Sequence, residues 1–119
     1  MNVLDDHVRL QQILVNLLNN SLHAVKERKM GKISVELYRE GQFISLDVID
    51  NGYGIPKQNQ PFIFERFYRG GNKKHVERGL GLGLSLSLLL AKVQGGNLSL
   101  KESSGEQTII SFQLPLARM

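Results

Sequence analysis

The fold is decided by Arg9–Val25, RLQQILVNLLNNSLHAV. Leu10, Ile13, Leu14, Leu17, Leu18 and Val25 recur at three- and four-residue spacing, the period of an α-helix that buries one side. The pattern runs from Asp6 to about Glu27. Asp5 or Asp6 is the expected N-cap. Gly31 is the expected stop, with Lys26, Arg28 and Lys29 in the last turn to complement the negative end of the helix dipole. At 100° per residue, Gln12, Asn16, Asn20 and His23 fall together on a second side. Such spacing also describes a solvated polar face. However, Asn is a mediocre helix former, and a solvent face favours Lys, Glu or Arg. The stretch from Gln12 to Leu22 carries no charge, and Asn19 adds a further amide. An amide ladder beside a core suits the lining of a cavity.

Downstream, Ile33, Val35 and Leu37 alternate with polar residues as in a strand, Glu40-Gly41-Gln42 reads as a turn, and Phe43–Ile49 follows as a second strand, giving a hairpin. Asp50–Pro56 is loop chemistry. Pro61–Arg69 is aromatic-rich, and a short helix is expected there. Gly70–Arg78 is polar and basic, as in a mobile loop. A second helix opens at Gly79-Leu80-Gly81-Leu82-Gly83-Leu84, runs to Gln94 and stops at Gly95-Gly96. Two strands, Leu98–Leu100 and Thr108–Leu114, follow around Ser104-Gly105-Glu106. The order predicts an α+β fold: a two-layer α/β sandwich whose mixed, mostly antiparallel sheet carries helices on one face. No internal repeat or domain boundary is visible, so residues 1–119 are expected to be one domain.

Composition removes several classes. A net charge of +4 and 41% hydrophobic residues suit a soluble domain. The longest apolar run is four residues, Leu88–Ala91, far short of a membrane span. Acids at Asp5 and Asp6 stand where a signal peptide carries bases. The absence of cysteine excludes disulfides and thiolate metal sites, and fits a reducing cytosol. Eight aromatics without interleaved Lys/Arg give no platform for nucleic acid.

Three local features carry chemistry. An Asn carbonyl oxygen, as in the amide stripe, is a hard ligand suited to Mg²⁺, which takes its remaining ligands from water and phosphates. Asp50 ends a hydrophobic strand, and an acid there is costly unless hydrogen-bonded. Its carboxylate accepts only, so it would recognise an exocyclic amino group such as adenine N6, with Gly52 and Gly54 letting the backbone approach a flat base. An Asx-type turn has the same Asp-Asn-Gly composition. Gly79, Gly81 and Gly83 expose backbone N–H groups before a helix N-terminus, which suits phosphate. No Gly-Lys-Ser/Thr follows, as a Walker loop requires, and no strand precedes, as the dinucleotide fingerprint requires. A glycine-rich helix start packed on a sheet has the same pattern.

In combination, these motifs resemble the catalytic ATP-binding domain of sensor histidine kinases, a Bergerat-type fold, over essentially the whole chain. Arg9–Val25 is similar to the family's N box. DNGYGIP (Asp50–Pro56) is similar to its first glycine box, IFERFYRG (Ile63–Gly70) to its F box, and GLGLGLSL (Gly79–Leu86) to its second glycine box. Related chaperone, gyrase and mismatch-repair ATPases share the Asn and glycine motifs but typically not FERFYR.

The resemblance implies ATP and Mg²⁺ as ligands. It implies that Asn20 is the metal ligand and that Asn16 lies near the phosphates. Asp50 reads adenine in a pocket shaped by Gly52 and Gly54, and Arg69 approaches the γ-phosphate. Gly79, Gly81, Gly83 and the adjoining Leu84 lie on the phosphate side, and Gly70–Arg78 forms an ATP lid. Where the family commonly has Lys and then an aromatic residue after the N box, this chain has His23 and Ala24. His23 is therefore the candidate phosphate contact, and the aromatic contact is lost. Hydrolysing relatives place a glutamate one turn before the metal-binding Asn. Asn16 stands there, and an amide is no base, which favours transfer over hydrolysis.

The implied partners are a dimerisation domain bearing the acceptor histidine and, downstream, a response regulator. His7, His23 and His75 lack an acceptor context. Neither nucleic acid nor membrane contact is expected. The expected setting is the cytoplasmic part of a membrane-anchored bacterial kinase. An anti-sigma-factor-type serine kinase and a non-catalytic nucleotide sensor are the alternatives.

Overall fold

The computed structural model describes residues 3–65 and 83–116, with the side chains of residues 3–7 left aside. Helix α1 (Val3–Val25) is followed by strands β1 (Ile33–Glu40) and β2 (Phe43–Asp50) and a 3₁₀ helix at Lys57–Phe62. Helix α2 (Gly83–Val93) and strands β3 (Asn97–Ser103) and β4 (Thr108–Pro115) complete it. The sheet order is β1-β2-β4-β3, and all three pairings are antiparallel. Both helices lie on one face and against each other, α1 over β2 and α2 over β3 and β4.

The apolar stripe of α1 reaches the core as its periodicity predicts. Ile13 and Leu17 are fully buried and meet Val48, Ala91, Leu98, Ile110 and Phe112. Burial of each such side chain is worth about 1.5–3 kcal/mol. The sheet residues are cross-strand partners on one face: Val48 opposes Ile110, and Leu98 opposes Phe112. Strand β1 differs. Val35 and Leu37 share the helix-facing side with Val48 and Leu46 yet remain exposed, because β1 lies at the sheet edge beyond α1.

The ends of α1 correct the sequence reading. The helix starts at Val3, so Asp5 and Asp6 stand in its first turn rather than at the N-cap. It stops at Val25, so Lys26, Arg28 and Lys29 follow the helix and His23 is the basic residue of its last turn. The chain leaves through a turn in which the Arg28 N–H donates to the Val25 carbonyl at 2.9 Å. Gly31 folds back onto Val25, where a Cβ would come within 3.0 Å of the Val25 Cβ and carbonyl oxygen.

α2 ends where Gly95-Gly96 predicts. Gly95 has φ +81°, and the N–H groups of Gly95 and Gly96 cap the carbonyls of Lys92 and Ala91 at 3.0 and 2.9 Å. This is the Schellman arrangement, which requires a left-handed residue. The expected short helix within Pro61–Arg69 appears earlier, at Lys57–Phe62, and residues beyond Glu65 in that stretch lie outside the described structure. No helix among the described residues is long and apolar enough to cross a membrane.

Candidate functional site

α1 brings the site together because its polar stripe is flanked by α2 on one side and by the loop after β2 at its C-terminal end. Asn16, half-buried, donates from Nδ2 to Ser87 Oγ of α2 at 3.2 Å. The Ser87 hydroxyl donates in turn to the Gly83 carbonyl one turn earlier, at 2.8 Å. A hydroxyl has one proton, so the bond to Gly83 leaves Ser87 to accept from Asn16. The amide orientation follows: Nδ2 is engaged, and Oδ1 is left as the acceptor. Asn20 is half-buried one turn further along the same stripe, and Gln12 is exposed one turn before it. His23 is half-buried, with both ring nitrogens shielded from solvent.

Asp50 closes β2 and is 3% exposed. Its Oδ1 accepts the Gly52 N–H at 2.9 Å, the Asx geometry anticipated for Asp-Asn-Gly. Its Oδ2 accepts the Ser21 hydroxyl of α1 at 3.0 Å. Burial pushes the carboxyl above its ordinary value, and the Gly52 N–H and the Ser21 hydroxyl offset part of that rise. The acid is thus held by neutral donors from two elements and has lone-pair directions to spare.

The loop after Asp50 is packed tightly at both glycines. A Cβ on Gly52 would come within 2.8 Å of the Ala24 Cβ and carbonyl oxygen on α1. Gly54 has φ +85°, and a Cβ there would meet the Ser104 carbonyl oxygen at 2.6 Å. The far end of the loop is tied to β3, where the Ile55 N–H donates to Ser103 Oγ at 2.8 Å. Asn51 secures the near end: its side chain accepts from the Lys32 N–H and donates to the Met30 carbonyl, both at 2.8 Å. Tyr53 projects outward, its ring 4.9 Å beneath the Arg28 guanidinium.

Of the residues singled out from sequence, Asn16, Asn20 and His23 lie on α1, Asp50 ends β2, Gly52 and Gly54 shape the loop, and Gly83 and Leu84 open α2. The Leu84 side chain packs against the core, so only its backbone is left for the site. Gly83 has open space where a side chain would stand. Arg69, Gly79, Gly81 and the stretch Gly70–Arg78 lie outside the described residues. Sequence reasoning missed Ser21 and Ser87. The available signal was a hydroxyl in each helix where the pattern calls for an apolar residue: Ser21 is 2% exposed and Ser87 is fully buried. A buried hydroxyl needs a partner, and Ser87 found one in Asn16 of the polar stripe, Ser21 in Asp50 at the end of β2.

Residues 5–118 match the family described as histidine kinase-, DNA gyrase B-, and HSP90-like ATPase. The chain is 31% identical over 115 residues to the adaptive-response sensory kinase SasA of Prochlorococcus marinus, an alignment covering 97% of this chain and 30% of SasA. Among solved structures, the mycobacterial sensor histidine kinase MprB superposes with a TM-score of 0.75 at 27% identity, covering 94% of this chain and 75% of that one. Full-length ShkA in complex with AMPPNP superposes at 0.73 and 28% identity, covering 93% of this chain and 22% of that one. The chain spans less than a third of the length of the curated relatives it matches. With a family match over almost its whole length and a superposable sheet-and-helix architecture, the chain belongs to the histidine kinase-, DNA gyrase B-, and HSP90-like ATPases, as a catalytic domain of the sensor histidine kinase kind.

Proposed function

We propose that the chain binds Mg-ATP along the polar side of α1 and donates the γ-phosphoryl group to a histidine on a separate dimerisation domain, for onward transfer to a response regulator. The observation that carries this reading is Asp50. It is a buried, acceptor-only carboxylate held by two neutral donors, with no cation on it among the described residues, the arrangement that suits an adenine amino group. Gly52 and Gly54 would let the backbone approach the plane of the base.

On the phosphate side the donor set fits magnesium, because the Ser87 bond leaves the Asn16 carbonyl oxygen as an acceptor one turn from Asn20. Asn20 would hold the metal and Asn16 its water shell or phosphate side. When bound, the ion supplies charge neutralisation to the triphosphate. The first N–H groups of α2 at Gly83 and Leu84, with Gly79 and Gly81, would cradle phosphate oxygens. Arg69 would approach the γ-phosphate, and His23 takes the place of the family's lysine. Asn16 has no basic atom to activate water, which favours transfer to a supplied acceptor over hydrolysis. We place this domain in the cytoplasmic part of its parent kinase.

The test is transfer of labelled phosphate from ATP to a supplied dimerisation-domain fragment, with no label on this chain alone. The product should be acid-labile, as phosphohistidine is and phosphoserine is not. Asn20→Ala should abolish Mg²⁺-dependent ATP binding, and unaffected binding would remove the metal assignment.

A further inference from the structure

Ser21 sits in the apolar stripe of α1, where nothing about helix formation or core packing asks for a hydroxyl. It is 2% exposed, and its Oγ reaches across 29 positions of sequence to Asp50 Oδ2 at 3.0 Å. The other carboxylate oxygen is fixed by the Gly52 N–H at 2.9 Å. Two donors from different elements therefore set the plane of the carboxylate, one on a helix and one on a loop. Gly52 in turn rests against Ala24, one turn along α1 from Ser21, so the same helix locates both donors.

We propose that Ser21 is a specificity-determining positioning residue, whose hydroxyl holds the Asp50 carboxylate in the orientation that selects adenine over guanine. This rests on Asp50 reading the base. An ionised carboxylate accepts only: it pairs with an amino group at purine C6 and leaves a carbonyl there facing a second acceptor, which is strongly rejected. A protonated carboxyl donates, and would accommodate guanine.

Selection therefore depends on the charge and on the plane of Asp50, and Ser21 contributes to both. Burial favours the protonated form, and the Gly52 N–H and Ser21 hydroxyl oppose it. Among the described residues, those set against this corner are Ser21 and Ala24 of α1, Gly52 of the loop, and the cross-strand neighbours Ile33 of β1 and Thr108 of β4. None of them titrates, and no charged side chain among the described residues adds to the three influences on Asp50. Removal of the Ser21 hydroxyl takes away one of the two donors.

The experiment is competition of ATP and GTP against a fluorescent ATP analogue, from about pH 5 to about pH 8. It uses the wild type, Ser21→Ala and Ser21→Thr, each first checked for its folded circular dichroism signal. The ratio of the two dissociation constants cancels the phosphate ionisation common to both nucleotides. In the wild type, preference for ATP should fall as pH drops. Ser21→Ala should narrow the preference on the order of tenfold near neutrality and move the pH midpoint of its loss upward. Ser21→Thr, which keeps the hydroxyl, should restore both. A Ser21→Ala protein with the wild-type ratio at every pH, or one that loses ATP and GTP in equal measure, overturns the proposal. If Asp50→Asn retains the wild-type preference for ATP, the base-reading assignment itself fails, independently of Ser21.

Discussion

Asp47 and Asp50 lie three residues apart on β2, each 3% exposed, and they are held in opposite ways. Alternation places them on opposite faces of the sheet. On the helix-free face, Asp47 Oδ2 accepts Lys101 Nζ and the Tyr38 hydroxyl, both at 3.1 Å. Burial raises its pKa, but its cross-strand neighbour Ser111 and the hydrogen bonds from Lys101 and Tyr38, with the Lys101 charge, outweigh burial and bring it below the ordinary value. On the helix face, the donors to Asp50 among the described residues are neutral, and burial leaves its pKa raised. One acid is paired within the protein by a cation on Oδ2, while its Oδ1 is buried without a hydrogen-bond partner among the described residues. The other has one neutral donor on each oxygen and no cation among the described residues, beside a polar helix stripe, as an acid reserved for a ligand would be.

Exchanging each acid for its amide separates the two roles most sharply. Asp50→Asn should fold, because Oδ1 can still accept the Gly52 N–H and the Ser21 hydroxyl can rotate to accept from Nδ2. Its ATP affinity should fall by roughly tenfold to a hundredfold, read by calorimetric titration, since the new amide donor faces the base. Asp47→Asn should leave ATP affinity unchanged and lower stability by about 1 kcal/mol, read by urea denaturation. The figure is small because Lys101 is half-exposed and its charge is screened. Equal binding losses for the two variants would break the comparison.

Gly52→Ala is the next largest test, and it acts through the loop. A Cβ meets α1 at Ala24 and must push the loop away, taking with it the N–H that Asp50 accepts. Overpacking of this kind costs about 1–3 kcal/mol. ATP affinity should drop about tenfold as the carboxylate loses one of its two fixed bonds. Gly41→Ala, in the hairpin turn with no atom near the added Cβ, should leave ATP binding unchanged, and its left-handed φ of +62° should cost only about 1 kcal/mol.

The sequence carried the helix–strand order and one end of this contrast. Helical and alternating periods located α1, both hairpins and the core stripe, because burial imposes those periods. Asp50 was legible because an acid at the end of an apolar strand, followed by Asn-Gly, needs a reason. Asp47 was not, because its partner depends on register. Lys101 is the extra residue of a bulge between Leu100 and Glu102 on β3, and nothing in NLSLKES announces that bulge. Ser21 and Ser87 were missed for a related reason: a serine within an apolar stripe shows its meaning only when the element opposite it is known. The uncovered side of β1 was equally hidden, since Val35 and Leu37 alternate like any buried strand.

The two acids also give opposite pH dependences to stability. Asp47, with a folded pKa below its unfolded value of 3.8, contributes stability that is complete above the unfolded pKa and lost as pH falls through the folded one. Asp50, with a folded pKa above 3.8, makes stability decline as pH rises from the unfolded value through the folded one. Denaturation midpoints across the acid range should therefore show Asp47→Asn flattening the steepest acid loss, and Asp50→Asn removing a decline at higher pH. If both variants flatten the same limb, the cation on the helix-free face is not what distinguishes the two acids.

The smallest effect concerns the phosphate side. Ser87 accepts from Asn16 while donating to the Gly83 carbonyl, so it fixes which atom of the Asn16 amide is free. Ser87→Ala removes that preference without removing Asn16, and the amide becomes able to turn either its nitrogen or its oxygen toward the ligand. One neutral hydrogen bond is lost, about 1 kcal/mol, so a weakening of roughly fivefold is expected. The loss should appear in ATP binding with magnesium present and vanish when the metal is chelated, because only a cation or its water shell requires the oxygen. Base selection, measured as the GTP-to-ATP ratio, should not change, since Ser87 has no bond to the Asp50 corner. A fivefold loss that persists in chelator would mean that Ser87 orders the start of α2 instead of aiming Asn16. The two helices would then differ in kind, with α1 carrying the polar recognition and α2 supplying only a wall.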